Sequence, residues 1–106
     1  RTFATPELRF ACPDSCKARV LGDLDRELTA EGMGVDRTDG LRVSDPDGWW
    51  LLRASGTEPK LTARIEGWSA AGLARLHGAL ARRLEAAGLA LPPLAADATD
   101  CETNRC

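Results

Sequence analysis

The stretch Leu41-Arg-Val-Ser-Asp-Pro-Asp-Gly-Trp-Trp-Leu-Leu-Arg-Ala-Ser-Gly-Thr-Glu-Pro-Lys-Leu-Thr-Ala-Arg-Ile-Glu66 decides the fold. Within it, Asp45-Pro46-Asp47-Gly48 is a strong turn signal between two runs of strand character. Before the turn, Leu41 and Val43 alternate with Arg42 and Ser44, the period of a strand with one face turned inward. After it, Trp49-Trp50-Leu51-Leu52 is apolar on both faces and reads as a central strand. Arg53 to Pro59 breaks the hydrophobic pattern. Leu61, Ala63 and Ile65 then alternate with Thr62, Arg64 and Glu66, which makes another strand.

Outward from this block, Pro6 to Phe10 reads as a short strand, with Leu8 and Phe10 on one face and Glu7 and Arg9 on the other. Pro13-Asp14-Ser15 offers helix-start chemistry, a side-chain oxygen that accepts from the orphan amides of a first turn. Val20, Leu21, Leu24 and Leu28 recur at helical spacing, with Lys17, Asp23, Arg26 and Glu27 mostly on the opposite face, and Gly32 and Gly34 end the helix. Val35 to Thr38 is a further strand candidate before the turn dipeptide Asp39-Gly40. Ser69 caps a second helix whose stripe is Leu73, Leu76, Leu80 and Leu84, and Gly88 ends it. Leu89 to Cys106 reads as an irregular tail, so the expected organisation is a domain over 1–88 and a tail over 89–106. No internal repeat is visible. Two amphipathic helices can cover only one face of such a sheet. The expected fold is therefore a two-layer α+β sandwich, its mostly antiparallel four- to five-stranded sheet covered on one face by two helices.

At 106 residues the chain has the size of one ordinary domain. Its 43% hydrophobic and 28% charged residues describe a globular rather than a disordered polymer. Fourteen Lys and Arg against sixteen Asp and Glu leave a net charge of −2, which argues against nucleic acid or an anionic membrane as partner. No apolar run approaches the roughly 20 residues that span a bilayer. The first residues lack the apolar core of a signal peptide, so the cytoplasm is the expected location. A start without Met reads as a piece of a longer chain. Cys12, Cys16, Cys101 and Cys106 are open to three readings: disulfides, a four-thiolate metal site, or free thiols. Their spacings do not match the paired tight knuckles of a zinc ribbon. His77, next to the apolar stripe, reads as a partly exposed helix-surface residue, Arg82-Arg83 as a solvated face, and Trp68 as packing over the start of the second helix. Of the adjacent Trp49 and Trp50, at most one can present its ring to a sugar, because neighbours on a strand face opposite sides.

The chemistry concentrates in Arg53-Ala54-Ser55-Gly56-Thr57-Glu58-Pro59. Arg53 leaves a rigid strand with a planar fork that can hold two phosphate oxygens. Ser55 and Thr57 offer hydroxyl donors, and Gly56 is expected to take a positive φ that opens successive amides into an anion-binding nest. Pro59 restricts Glu58 to extended conformations. Lys60 and Arg64 add positive charge nearby. The same composition also describes an ordinary surface turn, and residue types alone do not show that the donors converge.

Asp47-Gly-Trp-Trp-Leu-Leu-Arg-Ala-Ser-Gly-Thr-Glu-Pro-Lys60 resembles the signature of the last domain of the α-D-phosphohexomutases, the family of phosphomannomutase, phosphoglucomutase and phosphoglucosamine mutase. The similarity extends to Thr5-Pro-Glu-Leu at the first strand, Cys12-Pro-Asp at the first helix, Thr38-Asp-Gly40 before the hairpin, and Ile65-Glu66 at the last strand. It covers about residues 5 to 85. Many members carry a second Arg nine residues after the loop Arg, where this chain has Thr62; others carry it two residues later, at the position of Arg64. The resemblance implies the fold of the phosphoglucomutase C-terminal domain, which is similar to that of the TATA-box-binding protein. It implies a substrate-phosphate site of Arg53, Ser55, Gly56 and Thr57, with Arg64 and Lys60 as secondary contacts. It implies no catalytic residue and no metal in this piece. The phosphoserine, the Mg²⁺ ligands and the sugar-recognition loop would belong to preceding domains of a parent chain, an intramolecular phosphotransferase acting on a hexose phosphate. The identity of the sugar is left open. A non-catalytic phosphosugar-binding or protein-interaction module that keeps the fold is the alternative reading.

Overall fold

A computed structural model describes residues 2–94. The sheet is built from β1 (Phe3–Ala4), β2 (Leu8–Ala11), β3 (Val35–Asp36), β4 (Leu41–Asp45), β5 (Gly48–Ala54) and β6 (Lys60–Gly67). Helix α1 (Asp14–Ala30) lies between β2 and β3, and α2 (Ala70–Ala86) follows β6. Strand order runs β1-β6-β5-β4-β3, with β2 also on β6, and every pairing is antiparallel. β1 and β2 share one edge of β6, so six strands fill the width of five. Between them the chain carries one residue more than β6 does, from Ala4 opposite Glu66 to Leu8 opposite Ala63. Pro6 falls in this bulge, where its missing amide costs no ladder bond. Thr5 is buried there and satisfied: its amide donates to the Ile65 carbonyl at 2.9 Å, and its hydroxyl oxygen accepts from the Ile65 amide at 3.2 Å.

The period-2 pattern sorts the sheet into two faces. Leu8, Phe10, Leu41, Val43, Trp50, Leu52, Leu61, Ala63 and Ile65 are buried against Val20, Leu24 and Leu28 of α1 and Leu73, Leu76, Leu80 and Leu84 of α2. Arg9, Arg42, Trp49, Leu51, Arg53, Thr62, Arg64 and Glu66 take the alternate positions and form the open face. Trp50 is therefore core. Trp49 lies on the open face, its indole N–H donating to Glu66 at 2.9 Å and its ring under the Arg42 guanidinium at 4.2 Å.

The two helices start differently. Ser69 Oγ accepts from the Gly72 amide at 2.9 Å, as the sequence leads one to expect. At α1 no side chain caps: the cap residue is Pro13, and its carbonyl accepts from Cys16 N at 2.9 Å while Asp14 pairs with Lys17. Both helices close alike. Gly32 and Gly88 take positive φ, and each end carries the paired backward bonds Met33 N to Leu28 O with Gly32 N to Thr29 O, and Leu89 N to Leu84 O with Gly88 N to Glu85 O. Ser69→Ala is expected to cost about 1 kcal/mol. A thermal melt of that variant should show a modest, clear drop in Tm.

Several surface expectations change on folding. Arg82 is exposed, but Arg83 is largely covered and bridges the helices, donating to both carboxylate oxygens of Glu31 at 3.0 and 2.6 Å. That bond to Arg83 holds the Glu31 carboxyl below its ordinary range. Trp68 is 50% exposed rather than packed over the start of α2; its amide is tied to the Asp47 carbonyl at 2.9 Å, which fixes the backbone but not the ring. His77 is half-buried on α2, in line with the expected partial exposure, a ring nitrogen 2.7 Å from the Pro92 carbonyl, and Leu89, Leu91 and Leu94 pack against the core without regular secondary structure. Cys12 is buried, which pushes its thiol pKa up, and neither it nor Cys16 forms a disulfide. Cys101, Cys106 and the rest of 95–106 lie outside the described residues. No described helix is long and apolar enough to cross a membrane.

Candidate functional site

The loop between β5 and β6 stands at one end of the sheet and borders an open cleft of about 430 Å³. Its lining is Arg53 to Glu58 with Lys60 and Thr62, joined by Glu7 and Arg9 from the edge segment. Strand register explains the gathering. Thr62 on β6 faces Arg53 on β5 from one side and Arg9 on β2 from the other. All three occupy open-face positions, so Thr62 stands between two arginine residues on this face. Arg64 lies two residues further along the same face, opposite Leu51, and is not part of the lining. The fold thus brings Arg53, Ser55, Gly56, Thr57 and Lys60 together and leaves Arg64 about 7 Å down the strand.

Inside the loop the hydrogen bonds differ from the expected nest. Ser55 Oγ accepts from the amides of Thr57 at 3.4 Å and Glu58 at 3.2 Å, a seryl turn that occupies both donors loosely. Ser55 N donates to Lys60 O at 3.0 Å and Lys60 N to Glu58 O at 2.8 Å, closing the base of the loop. Gly56 does not take positive φ, contrary to expectation. The seryl turn bends the chain without a left-handed residue, so glycine is not required by conformation here. A Cβ at position 56 would meet nothing within 4 Å. The Gly56 amide has no partner among the described residues.

Most cations elsewhere on the surface are paired, although Arg42, over the Trp49 ring, and the exposed Arg82 make no ion pair among the described residues. Arg19, Arg26, Arg37, Arg75 and Arg83 each pair with at least one carboxylate. The side chains of Arg53, Lys60 and Arg64 make no ion pair or hydrogen bond among the described residues. Arg9 is held only by Glu7, at 3.4 Å in an exposed pair. Three cations and two carboxylates, Glu7 and Glu58, line the cleft. Behind the loop, Lys17 of α1 donates to the Ser55 carbonyl at 2.6 Å and the Glu58 carbonyl at 2.5 Å.

Arg9, Thr62 and Lys17 are the residues that sequence reasoning does not single out as part of the site. Alternation does put Arg9 and Thr62 on polar faces. The β5–β6 pairing sets Thr62 beside Arg53, and what brings Arg9 to them is the pairing of β2 with β6, for which nothing local signals a partner. Lys17 looks like any solvated lysine on the polar side of an amphipathic helix.

A six-stranded antiparallel sheet backed by two helices, with a cationic cleft at one end of its open face, defines a two-layer α+β domain. The family described as "Phosphoglucomutase/phosphomannomutase, C-terminal domain" matches residues 7–83. The chain belongs to that family. It is 32% identical over 90 residues to a phosphomannomutase/phosphoglucomutase of Pseudomonas aeruginosa, an alignment covering 85% of this chain and 19% of the relative. A phosphoglucomutase of Neisseria meningitidis is 37% identical over 79 residues, 73% of this chain and 17% of the relative. Among solved structures, a phosphoglucomutase/phosphomannomutase family protein from Burkholderia thailandensis superposes with a TM-score of 0.70 at 35% identity, over 88% of this chain and 20% of that one. The chain therefore spans about a fifth of the length of these relatives.

Proposed function

We propose that the β5–β6 cleft holds the phosphate group of a hexose phosphate, within a longer mutase that interconverts hexose 1-phosphate and 6-phosphate. The observation that carries this reading is the pair of unneutralised cations, Arg53 and Lys60, in a cleft whose other donors are the Arg9 guanidinium, hydroxyls and an amide without a partner among the described residues. Holding like charges together is unfavourable, and an incoming dianion relieves it. Arg53 presents its fork to two oxygens and Arg9 offers a second guanidinium across Thr62. Ser55 Oγ accepts within the loop, so its own proton remains available to donate outward. Thr57 adds a hydroxyl, Lys60 a point charge, and Arg64, outside the cleft lining, a secondary positive charge further along the open face.

In this reading the chain contributes position rather than bond-making. A phosphoserine elsewhere in the parent passes its phosphoryl group to the sugar, the bisphosphorylated intermediate reorients, and the other phosphate returns to the serine. This cleft grips whichever phosphate is not reacting, which keeps the far oxygen in line. The Mg²⁺ that the family resemblance implies finds no donor set here: among the described residues no three His, Cys, Asp or Glu side chains cluster. Its ligands are assigned to the preceding domains, as is choice of sugar, and a cytoplasmic location goes with the same reading. Titration of the ¹⁵N-labelled chain with glucose 6-phosphate is expected to move the amides of Arg9, Arg53 to Glu58, Lys60 and Thr62. Millimolar ligand that leaves those signals unmoved would overturn the proposal.

A further inference from the structure

Lys17 is placed against local electrostatics. It sits in the first turn of α1, where the helix dipole disfavours a cation. Asp14, 2.7 Å away, offsets part of that cost. The side chain is nonetheless only 11% exposed, folded inward rather than extended into water. Its ammonium spends its remaining donors on two backbone carbonyls some forty residues away, Ser55 at 2.6 Å and Glu58 at 2.5 Å. A solvated helix lysine needs none of this.

The geometry of the peptide group gives these bonds a consequence on the other side of the loop. The Ser55–Gly56 bond is trans, so the Ser55 carbonyl and the Gly56 N–H point in opposite directions across one rigid plane. Lys17 does not line the cleft; it reaches the loop from the helix layer. Drawing the Ser55 oxygen toward the ammonium turns the Gly56 N–H the other way, toward the cleft that Gly56 lines and where it has no partner. The second captured carbonyl, that of Glu58, precedes Pro59, which has no N–H to be misdirected. We propose that Lys17 is the positioning residue of this loop, and that it aims the Gly56 amide at the anion without touching the ligand. The inference rests on the phosphate-binding reading of the cleft.

The test uses the whole 106-residue chain with inorganic phosphate as probe. Lys17→Met keeps the aliphatic stem and deletes the donors. Without ligand, the carbonyl ¹³C signals of Ser55 and Glu58 are expected to move in this variant. On titration, the Gly56 amide should lose most of its downfield shift, and phosphate affinity should fall about fivefold, while Lys17→Arg, which keeps donors, recovers part of both. Wild-type carbonyl shifts in Lys17→Met, or wild-type affinity with a wild-type Gly56 shift, would refute the role. Should Lys17→Met fail to fold, Lys17→Arg and the wild-type ammonium signal decide. A slowly exchanging Lys17 ammonium supports the proposal, and an ammonium in fast exchange with water counts against it. If the wild-type chain binds no phosphate, the phosphate-binding reading fails, and Lys17 fails with it as an anion-aiming residue even where the carbonyl shifts still report its bond to the loop.

Discussion

Arg53→Ala is expected to weaken phosphate binding to this chain roughly tenfold to a hundredfold, the range for removing a charge-assisted hydrogen-bonding group from an anion site. The lower end is favoured by exposure, since water screens the charge at the cleft mouth. Stability should change little. The Arg53 side chain is exposed and makes no ion pair or hydrogen bond among the described residues, so no side-chain bond of the folded state is lost. Parallel phosphate titrations and thermal melts check both halves of the expectation. Wild-type affinity in the variant would remove Arg53 from the site; a large drop in Tm would make it a structural residue instead. If the proposed mutase function holds, the same substitution in a longer parent chain should depress turnover while the fold survives.

The largest stability effect is expected at Gly48. It closes the β4–β5 hairpin at φ 145°, a region that residues with a Cβ hardly enter. An added Cβ would stand 2.0 Å from the Glu66 carbonyl oxygen and 2.8 Å from the Gly67 Cα, both backbone atoms of the neighbouring strand. Neither can swing aside as a side chain can. The hairpin end would have to open, loosening the Asp45–Gly48 and Gly48–Gly67 pairings together. It would also disturb Asp45 and Asp47, which both pair with Arg75 of α2. Gly48→Ala is therefore expected to cost about 3 kcal/mol or more, a Tm loss on the order of 15 °C for a domain of this size. A melt within a few degrees of the wild type would mean that the hairpin end yields more easily than its contacts suggest.

These two residues show how far local patterning reached. The turn at Asp45 to Gly48, the alternation of β4, β5 and β6, and the Leu stripes of both helices are short-range signals, and the sheet and helices follow them. The departures have physical causes. β1 is two residues long, below the length at which alternation speaks, and forms because Thr5 and its neighbours find free positions on β6. The start of α1 takes no side-chain cap because Asp14 is drawn to Lys17 and the Pro13 carbonyl serves instead. Gly56 has no left-handed backbone because Ser55 Oγ already turns the chain.

The sequence by itself determined the two-layer α+β class, the central hairpin and the loop that carries Arg53, Ser55, Gly56 and Thr57. Those features depend on neighbours within a few residues, where period and turn chemistry are decisive. Only the tertiary structure decided that Arg9 faces Arg53 across Thr62, and that Lys17 stands behind the loop. Both depend on contacts between segments some forty residues or more apart. Such contacts are fixed by which strand edge is free and which helix face is buried, and a short window of sequence contains neither.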